Sequence, residues 1–257
     1  MNKTALITGA SSGIGLALAT CFAENGWNLI LVARRQNQLE KLKKQLQSDF
    51  GCLCHTVAFD LSKENAARAL YDEVRFRNLQ VDCLVNNAGR GHYRPFLELD
   101  WQLEEETIYL NVTVLTSLCK LFGKDMVEKG QGRILNVASI AGFLPGPRLA
   151  VYHATKAYVL SLSRALQAEL SDQGVTVTVS CPGPTESEFF EKAGTDDLVV
   201  KDYIKLMPAE AVARQAYEAT MKGKAVVVHG WLNRFMVETP RLLPKSWVAP
   251  LVKTFMK

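Results

Sequence analysis

No apolar run in this 257-residue chain reaches the ~18 residues that a membrane-spanning helix requires, and no cationic, apolar leader precedes the first strand-like run. The six cysteines, at positions 21, 52, 54, 83, 119 and 181, show neither paired CxxC metal spacing nor the density of a small secreted scaffold. No metal site is therefore expected, the thiols read as reduced and buried, and the cytoplasm is the expected compartment. An excess of charge of one sign is absent from residues 1–230, which hold 25 basic and 25 acidic side chains. The net +4 resides in residues 231–257, where Arg234, Arg241, Lys245, Lys253 and Lys257 face the single Glu238. The balanced remainder offers no electrostatic footprint for nucleic acid. Also missing are a Pro/Gly/Ser linker, a low-complexity segment and a repeat of solenoid period, so one domain spanning 1–257 is expected.

What is present is an ordinary globular composition, 48% apolar and 22% charged, sufficient for one large core. Short apolar runs, TALIT, NLILVA, LCHTVAF, DCLVN, GRILNVA, VTVTVS and AVVVH, alternate with longer helical patterns between residues 4 and 229. Such alternation implies parallel strands joined by right-handed crossovers, and strands covered on both faces read as continuous apolar runs. The expectation is an α/β fold of Rossmann type, a doubly wound parallel sheet of seven strands with helices on both faces. Two stretches break the rhythm. Residues 184–207 exceed an ordinary connection and offer Phe189, Phe190, Leu198, Val199, Val200, Tyr203 and Ile204, as a lid over a lipophilic ligand would. The tail 231–257 mixes Trp231, Leu232, Phe235 and Trp247 with its five cations, a composition suited to packing over a site, to a subunit partner or to a membrane surface. Prolines 240, 244 and 250 prevent it from forming one long helix.

After the first strand comes Thr8-Gly9-Ala10-Ser11-Ser12-Gly13-Ile14-Gly15, followed by a helical run. Glycines let a backbone turn sharply and approach a diphosphate, and free amides at a helix start stabilise its negative charge. The second strand ends at Ala33-Arg34-Arg35, about 20 residues further on, where a dinucleotide fold meets the adenosine ribose. An NAD site wants a carboxylate there. Ala33 stands in its place, and Arg34, with Arg35 behind it, suits the 2′-phosphate of NADP(H). The bland alternative is a pair of solvated charges opening the next helix.

Tyr152 and Lys156 in YHATK lie four positions apart, on one face of a helix just after the fifth strand. A free tyrosine, with pKa about 10, is a poor base at neutral pH, and a nearby ammonium stabilises its phenolate. Lys156 is therefore expected to bring Tyr152 towards useful acid/base strength. His153 points about 100° round the helix and reads as a bystander. Glu104-Glu105-Glu106 reads as a solvated face or an acidic first helical turn.

These residues, in this order, resemble the short-chain dehydrogenase/reductase (SDR) family over nearly the whole chain. Thr8 to Gly15 matches its TGxxxGxG turn, Asp60-Leu61 in FDL its aspartate near the adenine ring, and Asn86-Asn87-Ala88-Gly89 its NNAG segment. Asn111 matches the asparagine associated with a relay water, Ser139 the catalytic serine, and Pro182-Gly183 the turn beside the nicotinamide. Thr185 lies in reach of the carboxamide, although the family's threonine often sits one or two places further on.

The resemblance implies catalysis by Asn111, Ser139, Tyr152 and Lys156. It implies cofactor contacts from Gly9, Ser11, Ser12, Gly13, Ile14, Gly15, Arg34, Arg35, Asp60, Leu61, Asn87, Ala88, Gly89, Pro182, Gly183 and Thr185, shared by Tyr152 and Lys156. The implied reaction is hydride transfer between NADP(H) and a small-molecule carbonyl or alcohol, in a homodimer or homotetramer whose subunits meet through the helix carrying Tyr158. Simpler readings stand beside it. Asp60 also suits a cap before Ser62, and Asn111 a satisfied helix polar group. The whole chain also suits a non-catalytic NADP(H) sensor or scaffold, which would have no need of the Ser139–Tyr152–Lys156 set.

Overall fold

Seven strands occupy the seven apolar runs: β1 Thr4–Thr8, β2 Asn28–Ala33, β3 Cys54–Ala58, β4 Cys83–Asn86, β5 Gly132–Val137, β6 Val175–Cys181 and β7 Val226–Val228. In this computed structural model residues 2–189, 193, 206–239, 247, 249, 250 and 252 are described. The strands pair in parallel in the order β3-β2-β1-β4-β5-β6-β7. The expected doubly wound sheet is therefore present.

The helices are α1 Gly13–Glu24, α2 Gln36–Phe50, α3 Ala66–Phe76, α4 Trp101–Ile108, α5 Leu115–Glu128, α6 Ala150–Leu170, α7 Ala209–Met221 and α8 Trp231–Glu238. In α2 the leucines at 39, 42 and 46 are buried while most of the other positions face water, and Gly51 ends the helix at φ +66°. Successive strand side chains point to opposite faces. Ala5 and Ile7 thus join the core under α1, α2 and α7, and Leu6 joins the core under α3, α5 and α6. Phe22 is fully buried, edge-on to Trp27 and Tyr217 at centroid distances of 5.3 and 4.9 Å. Burying each such side chain stabilises the fold by about 1.5–3 kcal/mol.

Strand order reverses between β1 and β4, which opens a crevice beyond their carboxyl ends, the place where open α/β sheets bind ligands. All six cysteines are free and buried. Among the described residues, no helix is long and apolar enough to cross a membrane, and no cluster of histidine, cysteine and carboxylate suits a metal ion.

Candidate active site

The floor of the crevice is tied together by one hydroxyl. Thr8 Oγ1 donates to the Val85 carbonyl at 3.2 Å and accepts from the amides of Asn87 and Ala88, each at 3.0 Å. Asn87 Nδ2 donates back to the carbonyls of Thr8 at 3.0 Å and Gly9 at 3.3 Å. The turn then needs its glycines. Gly9 and Gly13 sit at φ +67° and +51°, and a Cβ on Gly15 would lie 2.2 Å from the Gly9 carbonyl oxygen. Ser12 precedes α1 without a side-chain capping bond, which leaves the first-turn amides to an external acceptor. A glycine cradle at an uncapped helix start fits a diphosphate.

The two arginines differ. Arg34 is exposed, whereas Arg35 turns onto the glycine loop and donates from Nε and Nη2 to Ser11 Oγ at 3.3 and 3.1 Å. The guanidinium of Arg35 also pairs with Glu188 at 3.0 Å. Asp60 accepts from the amide and hydroxyl of Ser62 at 3.0 and 2.7 Å and so closes a local turn rather than capping a helix, since α3 begins at Ala66 with Asn65 at its start. Partial burial acts to raise its pKa, but the Ser62 bonds and the Arg34 charge outweigh this and hold the carboxyl below its ordinary value. Leu61 is buried, and Gly89 packs against Asn111 Oδ1 and Lys156 Nζ.

Ser139, Tyr152 and Lys156 meet where β5 hands over to α6. Ser139 caps a short 3-10 turn, Ile140–Phe143, by accepting from the Ala141 amide at 3.1 Å, and donates to the Pro182 carbonyl at 3.3 Å. Burial pushes the Tyr152 phenol up to about 12, against a hydrogen bond with Ser139 that acts the other way. Lys156 Nζ lies 5.6 Å from the centre of the Tyr152 ring. The expected downward pull of Lys156 on Tyr152 is therefore not what governs this geometry. Burial draws the ammonium itself down to about 8 and weakens its influence. Asn111 sits in a π-helical stretch, Tyr109–Val114, where the side chain is turned inward. Its Nδ2 donates to the Arg90 carbonyl at 2.9 Å and to Thr155 Oγ1 at 3.0 Å, and its Oδ1 accepts from the Arg90 amide at 3.1 Å.

Thr185 is buried, and its hydroxyl donates to the Gly183 carbonyl at 2.9 Å, within its own turn. Residues 184–186 run beside Met207, with Glu186 N to Met207 O and Met207 N to Pro184 O both 3.0 Å. The two ends of the expected lid are thus clamped together. Of the seven apolar residues expected to face a ligand, Phe189 is described, and Phe190, Leu198, Val199, Val200, Tyr203 and Ile204 lie outside the described residues. Phe189 packs on Tyr152 with ring centres 5.1 Å apart. From the tail, α8 sets Asn233 directly on Gly183, where a Cβ would meet its amide nitrogen.

A family model described as short chain dehydrogenase matches residues 3–198. The chain belongs to this family. As a short-chain dehydrogenase it is an oxidoreductase of the alcohol–carbonyl couple. It is 34% identical to a sulfoacetaldehyde reductase of Chromohalobacter salexigens, covering 97% of this chain and 98% of that one. It is 33% identical to a mouse very-long-chain 3-oxoacyl-CoA reductase, over 71% of this chain and 59% of that protein. Among solved structures, a short-chain dehydrogenase from Sphingobium yanoikuyae in complex with NADPH superimposes with a TM-score of 0.84 at 32% identity, each chain covered to 93%.

Several residues that shape this dehydrogenase's site did not stand out in sequence. Thr155, Ser187, Glu188 and Asn233 act on neighbours far along the chain, and no local spacing marks them. Glu104 lies in the acidic first turn of α4, one of the two expected readings, yet it is 6% exposed and lines a small pocket beside Tyr152 with His92, Arg94, Thr107 and Arg148. Glu106 instead pairs with Arg90. His153 proves to be a tie, since its Nδ1 lies 2.7 Å from the Leu144 carbonyl and pins the loop that follows Ser139.

Proposed function

We propose that this enzyme uses NADP(H) to interconvert a carbonyl and a secondary alcohol on a lipophilic small molecule, within one domain. The observation that carries this reading is the meeting of Ser139, Tyr152 and Lys156 at the carboxyl edge of the sheet, with Lys156 Nζ 5.6 Å from the centre of the Tyr152 ring. The cofactor, when bound, supplies or accepts the hydride. The glycine turn with Ser11, Ser12 and Ile14 holds the diphosphate, and Arg34 and Arg35 receive the 2′-phosphate. Asp60 and Leu61 border the adenine, Asn87, Ala88 and Gly89 the adjoining ribose, and Pro182, Gly183 and Thr185 the carboxamide.

Tyr152 keeps its proton through neutral pH because burial disfavours the phenolate, and it donates that proton to the substrate oxygen in reduction. Ser139 hydrogen-bonds the same oxygen. Lys156 binds ribose hydroxyls, and Asn111 orders a relay water beside it. Phe189 against Tyr152, together with the name of the mouse relative, supports a lipophilic substrate. The test is NADPH consumption over a panel running from short sulfonated aldehydes to bulky ketones and long-chain 3-oxoacyl thioesters. Turnover of the lipophilic members that is abolished by Tyr152→Phe supports the reading. Tight NADPH binding without turnover of any carbonyl rejects it.

We further propose a cytoplasmic homo-oligomer that touches anionic membranes through its tail. Tyr158 and Ile108 are 40% and 37% exposed on α6 and α4, apolar surface suited to a second subunit. On α8, Trp231, Leu232 and Phe235 form one outward face while Val237 is buried, and the tail's cations complement anionic headgroups. Equal sedimentation with phosphatidylglycerol and phosphatidylcholine vesicles would reject the membrane contact.

A further inference from the structure

The three residues that follow Glu186 lie across the crevice. Ser187 packs on the glycine turn so closely that a Cβ on Gly13 would fall 2.9 Å from Ser187 Cβ. Glu188 meets Arg35 through two contacts, Nη1 to Oε1 at 3.2 Å and Nη2 to Oε2 at 3.0 Å. Phe189 covers the Tyr152 ring, and its Cζ stands 3.2 Å from where a Cβ on Gly91 would be. One short segment thus lies on the diphosphate turn, on Arg35, the second of the two arginines expected to take the 2′-phosphate, and on the tyrosine.

Charge dictates which of these contacts holds the others. The contacts of Ser187 with Gly13 and of Phe189 with Tyr152 are packing contacts, which are non-directional, whereas the Glu188 carboxylate occupies a bidentate seat on a guanidinium already oriented by Ser11. A phosphate dianion offers the same planar cation more negative charge than a carboxylate does. The two anions cannot share the seat.

We propose that the Glu188–Arg35 pair is a latch that keeps the 187–189 segment over the glycine turn and Tyr152, and that a 2′-phosphate opens it by displacing Glu188 from Arg35. The inference rests on the reading of Arg35 and the glycine turn as the NADP(H) site. The apparent affinity of a ligand that needs the open form is reduced by the fraction of molecules that are open. Removing the Glu188 charge therefore tightens 2′-phosphorylated ligands. Both side chains are more than one-third exposed, at 36% and 38%, so the gain is that of a surface ion pair, roughly two- to five-fold in Kd.

The test uses 2′,5′-ADP, which carries the 2′-phosphate but lacks the nicotinamide that would touch Tyr152. Its affinity is measured by calorimetry for the full-length protein and for Glu188→Gln, and amide hydrogen exchange is followed across residues 184–189 with and without it. The expected result is a Kd two- to five-fold lower in the variant, faster exchange of the segment in the unliganded variant, and faster exchange in the wild type on adding the ligand. Equal affinity in both proteins overturns the latch while leaving the cofactor site standing. So does tighter binding with exchange unchanged, which would make Glu188 a competitor that holds nothing shut. If neither 2′,5′-ADP nor NADP+ binds either protein, the cofactor-site reading itself has failed.

Discussion

Lys156 Nζ lies 2.9 Å from the carbonyl oxygen of Val137, the last residue of β5, and among the described residues it forms no ion pair. A buried ammonium held by one neutral acceptor is poorly compensated for lost hydration, and burial draws its pKa down to about 8. Tyr152, four residues earlier, moves the opposite way, to about 12. Near pH 8 the lysine is giving up its charge while the tyrosine still holds its proton.

The alkaline limb of kcat/KM for carbonyl reduction is therefore expected near pH 8. It marks loss of the Lys156 charge, since the free enzyme's titrations govern this parameter. Steady-state rates from pH 6 to 10.5 check it. A profile flat to pH 10 would show that the ammonium is not required in its charged form.

On the proposed mechanism, Ser139→Ala removes a donor to the reacting oxygen together with the cap of the 3-10 turn. The expected loss in kcat is about 10²–10³-fold, comparable to removing one oxyanion donor. The missing cap adds a stability loss of about 1 kcal/mol. Turnover within three-fold of the wild type, with only the melting temperature lowered, would reduce Ser139 to its capping role.

Gly15→Ala would place a methyl 2.2 Å from the Gly9 carbonyl oxygen and 2.4 Å from Asn87 Nδ2. Both atoms belong to the bonded floor of the crevice and neither can retreat cheaply. Overpacking of this kind costs about 1–3 kcal/mol, and the displaced turn is expected to lose NADP(H) affinity. Differential scanning calorimetry and cofactor titration measure the two effects, and an unchanged melting temperature would contradict the close approach.

His229 is buried at the end of β7, with Nε2 2.8 Å from Ser180 Oγ and Nδ1 3.2 Å from Gln215 Oε1. Burial, helped by the Arg234 charge, pushes it down to about 4 from an ordinary 6.5. The unfolded chain therefore takes up this proton first as pH falls. The stability contributed by neutral His229 is complete above pH 6.5 and is lost progressively towards pH 4. His229→Gln is expected to flatten that loss, as thermal melts at pH 7 and pH 5 would reveal. Equal loss in variant and wild type would exclude His229 as its source.

Legibility in the sequence varied with the range of the interaction. β1 and β2 coincide with TALIT and NLILVA because a strand buried on both faces must be apolar throughout. The Tyr152–Lys156 pair was legible because one helical turn is a local distance. The place of Glu104 in a first helical turn was legible, but its burial was not, since the start of α6 and the His92 loop that line its pocket are brought in from other parts of the chain. The contact of Arg35 with the glycine loop was not legible either. Only Arg35 reaches Ser11, because the side chain's direction depends on how α2 leaves the sheet.

Hydrophobic periodicity, glycine placement and spacing along one chain suffice to specify a parallel doubly wound sheet, its family and a tyrosine with a lysine one turn away, because these are interactions between near neighbours or along one element. Which groups touch across the crevice was decided by tertiary packing alone. Glu188 meets Arg35 across 153 positions, and Lys156 comes to rest on the Val137 carbonyl, 5.6 Å from the centre of the Tyr152 ring. Burial then sets the proton affinities of Tyr152 and Lys156, since the dielectric around a side chain is created by the folded protein and is written in no local motif.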